Sequence, residues 1–419
     1  MRYFVSILAW LLFLPLHGQQ KEKDNILLLD ATIHVGNGTI IESGFIHILK
    51  GRIVETGSSK QRAFLPSDYD TVLKLSGKHV WPGIIALNTT IGLREIDAVR
   101  STLDFNETGE LNQNVRSLIA YNTDSKIIPT IRSNGILAVQ AVPRGSLIGG
   151  TSSVFHTSGW NWEDAVLKTD DGLHLFWPES GTQGKPSDTP RLSESSKIKI
   201  QKLEELFTQA AYSKQTHIKL QPIKKVLSGE FVLYVHANKA RDITDVIMFA
   251  QKHKVSRLVL VGAAESWRVA GMLKKYQVPV VLSSLHRLPS YPDEAADLPF
   301  RIPAILKDSG ITVALSYNGE MEANVRNLGF IAGTAAAYGV NKEDALQMIT
   351  LNPAKICGIA NDQGSLEPGK AASFLVSAGD ILDMRTSRIE LMYIEGKKQN
   401  LDDLHKQLYR KFRNKYQQN

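Results

Sequence analysis

The 419-residue sequence holds one cysteine, Cys357. That excludes an internal disulfide and any cluster of thiolates on a structural metal. Cys357 lies in an apolar stretch and reads as inert packing. Beyond the first residues, no apolar run approaches the roughly 20 residues of a membrane-spanning helix. There is no Gly-x-Ser-x-Gly elbow, no Walker loop and no dinucleotide fingerprint. No basic groove interleaved with aromatics argues for nucleic acid. The formal charge of +7 is modest for this length, and much of the excess sits between His405 and Lys415. That run could meet nucleic acid or an anionic membrane, but it reads first as the solvated face of a helical tail over residues 400–419.

The apolar run that is present comes first. Arg2 precedes residues 3–16, apolar except for Ser6, and Gly18 is followed by polar Gln19, Gln20 and Lys21. This pattern reads as a cleavable targeting segment over residues 1–18 and implies an exported protein, periplasmic or secreted. An uncleaved anchor is the alternative reading. Without disulfides, stability outside the cell must come from the core.

Residues 25–81 carry short β-runs separated by turn residues. Gly44–Leu49 and Ile53–Glu55, split by Lys50-Gly51-Arg52, read as a hairpin. From residue 83 the character changes. Apolar strands at 135–142, 231–235, 258–261, 278–282 and 311–315 alternate with helical patterns, as at 239–252 and 265–276. Such alternation argues for a buried parallel sheet. The expected class is α/β, with a TIM-like (β/α)8 barrel over residues 83–360; an open doubly wound sheet is the other solution. The polar, Lys-rich stretch 188–222 reads as an inserted helical segment. Residues 361–399 return to strands. Both chain ends, 19–82 and 361–399, are therefore expected to build one small composite β-sandwich domain.

Four stretches carry a family likeness: residues 77–85 before the first barrel strand, Arg144–Gly150 as a glycine-rich turn, Ala345–Lys355 as a helix pair closing a barrel, and Gly364–Ala372 as the return into the β-domain. Together they resemble the amidohydrolase superfamily, most closely its imidazolonepropionase-like members. The resemblance implies hydrolysis of a non-peptide carbon–nitrogen bond by water activated on one or two divalent metals, zinc among them. It also implies metal ligands at the carboxy-terminal ends of the strands.

Most of those ligands have no counterpart here. Where the family carries two alternating histidines on strand one, this chain has Asn88 and Thr90, with Ala86 in place of the accompanying aspartate. An amide and a hydroxyl are poor zinc ligands. His236 stands at the strand-five position, followed by Ala237 and Asn238. Val261 or Gly262 replaces the strand-six histidine. Asn318 or Ser316 replaces the strand-eight aspartate that would take the water's proton. No strand-four ligand can be placed. His236 and Asn318 are thus the catalytic candidates, with Asn88, Thr90, Arg144 and Ser316 lining the pocket. As a metal ligand His236 stands alone, and it reads first as a hydrogen-bonded pocket histidine.

Asn122, Thr123, Asp124, Arg132 and Arg144 are expected near the barrel mouth, where Arg132 or Arg144 could grip an anion. Glu95, Asp97 and Arg100 could form a charged pocket or an ion-pair network. Trp160 and Trp162 could wall a ligand or form a lid. Three functions stay open: a hydrolase with an altered or metal-free site around His236, a non-catalytic barrel binding a small molecule, and a subunit acting with a partner or in a homo-oligomer.

Overall fold

The computed structural model describes residues 24–181, 192–214, 217–283, 285–317 and 322–416. The targeting segment expected over residues 1–18 lies outside them. Among the described residues no helix is long and apolar enough to cross a membrane.

The amino-terminal strands are β1 (Asn25–His34), β2 (Ile40–Leu49), β3 (Arg52–Ser58), β4 (Thr71–Lys74) and β5 (His79–Pro82). The expected hairpin joins β2 to β3 with both Lys50 and Gly51 at positive φ, the twist a tight two-residue turn requires. Barrel strands follow: β6 (Ile84–Thr89), β7 (Ile136–Ala141), β8 (Ile148–His156), β9 (Val166–Phe176), β10 (Val232–Ala237), β11 (Leu258–Gly262), β12 (Val280–Ser283) and β13 (Val313–Ser316). The chain ends with β14 (Phe374–Ser377), β15 (Ile389–Ile394) and β16 (Lys397–Lys398). Strands from both chain ends share one sheet, ordered β16-β15-β14-β5-β1-β2-β3 with β4 also on β1.

The second sheet runs β13-β12-β11-β10-β9-β8-β7-β6. Its seam is spanned by the turn between helices Lys342–Gln347 and Leu351–Cys357. Leu315 N donates to Met348 O at 2.8 Å, and Ile85 N to Ile349 O at 2.9 Å. The barrel is nearly closed, and β7, β11, β12 and β13 are buried along nearly their whole length, as their apolar runs anticipate.

One strand departs from the all-parallel expectation. β8 is antiparallel to both β7 and β9. The glycine-rich turn therefore returns the chain directly down the barrel wall with no crossover helix. Segment 106–116 lies against this turn, with bridges Asn106–Arg144, Leu111–Ile148 and Arg116–Thr151. Gly150 permits that approach: its φ is 135°, and a Cβ there would sit 2.7 Å from Val115 O.

The stretch 188–222 supplies helices Glu194–Tyr212 and Gln221–Leu227, as its pattern suggested, although residues 188–191 and 215–216 lie outside the described residues. Helix Ala240–Lys252 packs Ile243, Val246, Ile247 and Ala250 on the barrel. Cys357 is buried and unpaired, and burial pushes its thiol pKa far up, so it is inert at neutral pH.

A polar cluster joins the sheet to the barrel seam. His34 on β1 stacks on Trp81 of β5, with centroids 3.5 Å apart and planes within 3°. Its Nδ1 lies 2.7 Å from Glu343 Oε1, on the helix that leads into the seam turn. Removing one partner strands the buried carboxylate. We expect His34→Phe, which keeps a ring over Trp81, to lower unfolding free energy by about 3 kcal/mol in urea titrations. Adding Glu343→Met should recover most of that loss. Additive losses would show that the pair does not couple the two sheets.

Candidate functional site

The carboxy-terminal ends of β6, β7, β9 and β10 converge on one polar cluster. β6 ends at Asn88, which has a φ of 59°. This left-handed geometry is tolerated by asparagine better than by most residues. It turns the Asn88 backbone N–H onto Gln140 Oε1 at 3.0 Å. Arg144, just past β7, then clasps Asn88 with both arms of its guanidinium: Nη1 donates to the side-chain oxygen, and Nη2 to the backbone carbonyl at 2.9 Å. No carboxylate is within ion-pair distance of Arg144 among the described residues. Burial pushes its pKa down to about 10, with Glu322 partly opposing the shift.

A second chain of hydrogen bonds leads from the interior to His236. Asp171 on β9 is enclosed and accepts from Ser152 Oγ (2.7 Å), Tyr234 Oη (2.7 Å) and Gln140 Nε2 (2.8 Å). Burial raises its pKa against the pull of these three donors. Ser152 commits its one proton to Asp171, so its oxygen accepts from His174 Nε2 at 2.9 Å. His174 Nδ1 must then accept from His236 Nε2, 3.0 Å away. The remaining nitrogen of His236, Nδ1, keeps its lone pair. Burial holds both imidazoles well below their usual pKa; His236 lowers His174 further, and the charge of Arg144 opposes protonation of both rings. Phe176 stacks on His236 at 4.1 Å and Tyr234 on His174 at 4.6 Å, fixing the rings. Gly172 makes this possible, since a Cβ there would lie 2.4 Å from the Tyr234 ring.

The candidates from sequence divide. Asn88, Arg144 and His236 come together. Ser316 is buried at the end of β13 and pairs with Ser283 at 2.7 Å. Thr90 is buried near the mouth: its backbone N lies 3.4 Å from Glu322 Oε2, and its hydroxyl has no partner among the described residues. Asn318 lies outside the described residues. Arg132 is a correction: its Nη1 donates to Thr157 O at 2.7 Å, beside the amino end of β7, so it serves the opposite end of the barrel. Asn122 Oδ1 caps its own turn on Asp124 N, and Thr123 Oγ1 bonds Trp160 O. Asp97 pairs with Arg94 at 2.6 Å, the ion-pair reading. Trp160 is 89% exposed and walls nothing, while Trp162 packs on the core.

Asp171, Ser152, His174 and Gln140 escaped the sequence reading. The run Thr169-Asp170-Asp171-Gly172 is a poor strand former by composition, which hid β9 and its histidine. The alternation His174-Leu175-Phe176, with leucines at 173 and 175, was the available signal.

Among the described residues, no three His, Cys, Asp or Glu side chains gather as a metal site would require. The Asn88 amide oxygen, at a strand-one ligand position, already receives a guanidinium.

Fold and site together describe a nearly closed barrel with a buried polar cluster at the strand carboxy ends. Residues 273–403 match the model of the amidohydrolase family. The matched stretch resembles that family. The chain is 41% identical over 61 residues to an adenine deaminase of Rubrobacter xylanophilus, a stretch covering 15% of this chain and 10% of that protein. An amidohydrolase structure from Thermotoga maritima MSB8 superposes with a TM-score of 0.76 at 24% identity, covering 89% of this chain and 99% of that one. A zinc-bound adenosine deaminase from Xanthomonas campestris superposes with a TM-score of 0.55 at 11% identity, covering 94% and 99%. A prolidase solved with N-methylphosphonate-L-proline gives 0.54 at 14%, covering 90% and 99%.

The depressed histidines set a pH dependence. The unfolded chain binds protons on these rings below about pH 6.5, whereas the folded chain does not until lower pH. Their contribution to stability is therefore full above pH 6.5 and falls as the solution is acidified towards the folded-state values. Tm measured from pH 7.5 to pH 5 should drop more steeply in the wild type than in His236→Asn. Parallel curves would mean that His236 titrates normally in the folded protein.

Proposed function

We propose that this chain is an exported hydrolase of carbon–nitrogen bonds in which Arg144 and His236 act where the superfamily uses a metal-bound water. Lineage supports the reaction class; the adenine deaminase and prolidase likenesses belong to proteins named for such substrates. The targeting pattern of residues 1–18 supports export. The observation that carries the reading is the guanidinium clasped on Asn88, with its charge felt by His236.

The described donor set does not fit a divalent ion. A fixed cation stands on the amide at the strand-one position, and His236 turns Nε2 to His174. A second cation there would meet Arg144 in a poorly screened interior. The chain's own residues then carry the reaction. Two of the five Arg144 N–H donors go to Asn88, leaving others to polarise a substrate carbonyl and stabilise the oxyanion formed on attack. His236 Nδ1 takes a proton from the attacking water and returns it to the leaving nitrogen. His174, Ser152 and Asp171 hold the tautomer that keeps Nδ1 unprotonated.

The test combines metal analysis with turnover of cyclic amides and dipeptides by purified protein. We expect less than stoichiometric zinc, manganese or iron, and turnover that survives chelation. His236→Ala should reduce kcat about 10²- to 10⁴-fold. Arg144→Lys, which loses the bidentate clasp, should reduce it about 10²-fold. A tightly held stoichiometric metal whose removal abolishes turnover would sink the reading. If no substrate turns over while small carboxylates raise Tm, the barrel is a binding module.

A further inference from the structure

Helix Leu404–Tyr416 is the one helix of thirteen or more residues, among those described, with no buried residue. An isolated helix of this length is marginal in water, since propagation barely offsets nucleation. Its foot is fixed. Asp403 is buried, accepts from Ser133 Oγ at 2.8 Å just before β7, and caps the helix through Lys406 N at 2.9 Å. Beyond the foot the helix carries an apolar stripe bordered by cations, with Lys415 within its arc. Leu404, Leu408, Phe412 and Tyr416 recur every fourth residue, with Tyr409 beside them, and all are between 40% and 65% exposed. The helix also carries Lys406, Arg410, Lys411, Arg413 and Lys415, and no acidic residue. Arg410 is tied to Asp402 and Lys406 to Asp403. Among the described residues Lys411, Arg413 and Lys415 have no acidic partner; Arg413 and Lys415 lie over the rings of Tyr409 and Tyr416.

We propose that this helix docks the protein on an anionic lipid surface, its aromatic and leucine stripe entering the headgroup boundary and its cations meeting lipid phosphates. A short amphipathic helix, rich in lysine and arginine and edged by tyrosine and phenylalanine, has the chemistry for that boundary. Two other occupants fit less well. A second copy laid on the same face would bring Lys411, Arg413 and Lys415 of each helix against their counterparts. A nucleic acid would use the charges and leave the apolar stripe in water. The foot lies at the amino end of β7, whereas Asn88, Arg144 and His236 lie at the opposite ends of the strands. Attachment would leave the barrel mouth facing away from the lipid.

The experiment is co-sedimentation of purified protein with vesicles of phosphatidylcholine containing phosphatidylglycerol, against vesicles of phosphatidylcholine alone. Binding is expected to the first, weakly to the second, and to weaken in high salt. The variant K411Q/R413Q/K415Q should lose affinity on the order of a hundredfold, about fivefold per cation. L408Q/F412Q, which keeps every charge, should also release the vesicles. Both variants should melt like the wild type, because neither alters a buried residue. The proposal fails if the two vesicle types bind alike, if neither binds, or if either variant binds undiminished. A dimer in analytical ultracentrifugation that dissociates in L408Q/F412Q would assign the stripe to a second copy instead.

Discussion

The clasp of Arg144 on Asn88 governs the rest of the barrel mouth. A buried guanidinium without a carboxylate is costly unless its donors are met, and here two are met by one residue's side chain and backbone. Asn88 can offer both oxygens only because its backbone is left-handed, which aims its carbonyl away from the normal strand direction. Its N–H is then satisfied by Gln140, and Gln140 in turn reaches Asp171. One charge thus orders β6, β7 and β9 at their shared end. Burial disfavours protonation of His174 and His236, and the same charge adds to that effect.

The hairpin geometry of β8 is what makes this arrangement available. In an all-parallel barrel, Arg144 would begin a crossover to an outer helix. Here the chain turns back at once, so the loop stays over the mouth and Ser152 enters the wall beside β9. Segment 106–116 covers the turn, and its approach depends on a glycine at 150. Ser152 then links Asp171 to His174 through a single hydroxyl, which must donate to one and accept from the other. Such a chain has only one consistent set of proton positions while both rings are neutral and Asp171 is ionised, and in that state it specifies a tautomer as well as a location.

The fold was legible wherever strands are uniformly apolar. The stretches 135–142, 231–235, 258–261 and 311–315 stand within one or two residues of β7, β10, β11 and β13. Residues 345–355 close the seam, as the resemblance implied. β8 and β9 were not legible, because their interiors are polar: Thr151, Ser152, Ser153, Asp170, Asp171 and His174 break the apolar pattern that marks a core strand. The same residues build the site. Asn88, Arg144 and His236 could be nominated because they stand at strand ends in recognisable stretches. Arg132 misled because a helix terminus near a strand does not reveal which end of the barrel it serves.

The buried carboxylate of Asp171 bears on why these polar residues sit in a barrel core at all. An acid enclosed this fully is held by three donors, yet burial still shifts it towards the neutral form. For stability alone, apolar residues of similar volume would serve as well or better. The donors instead lie along one line from the interior to His236, and each aromatic flanking that line is stacked on one of its imidazoles. A core that needed only to be filled would have no reason to orient Ser152, His174 and His236 in sequence. The ordering is explained if the free nitrogen of His236 must present a lone pair to the mouth, beside a cation that cannot dissociate. A metal-bound water offers a similar pairing of acid and base, but through an ion that can be lost; in the proposed reaction both members are covalent parts of the chain.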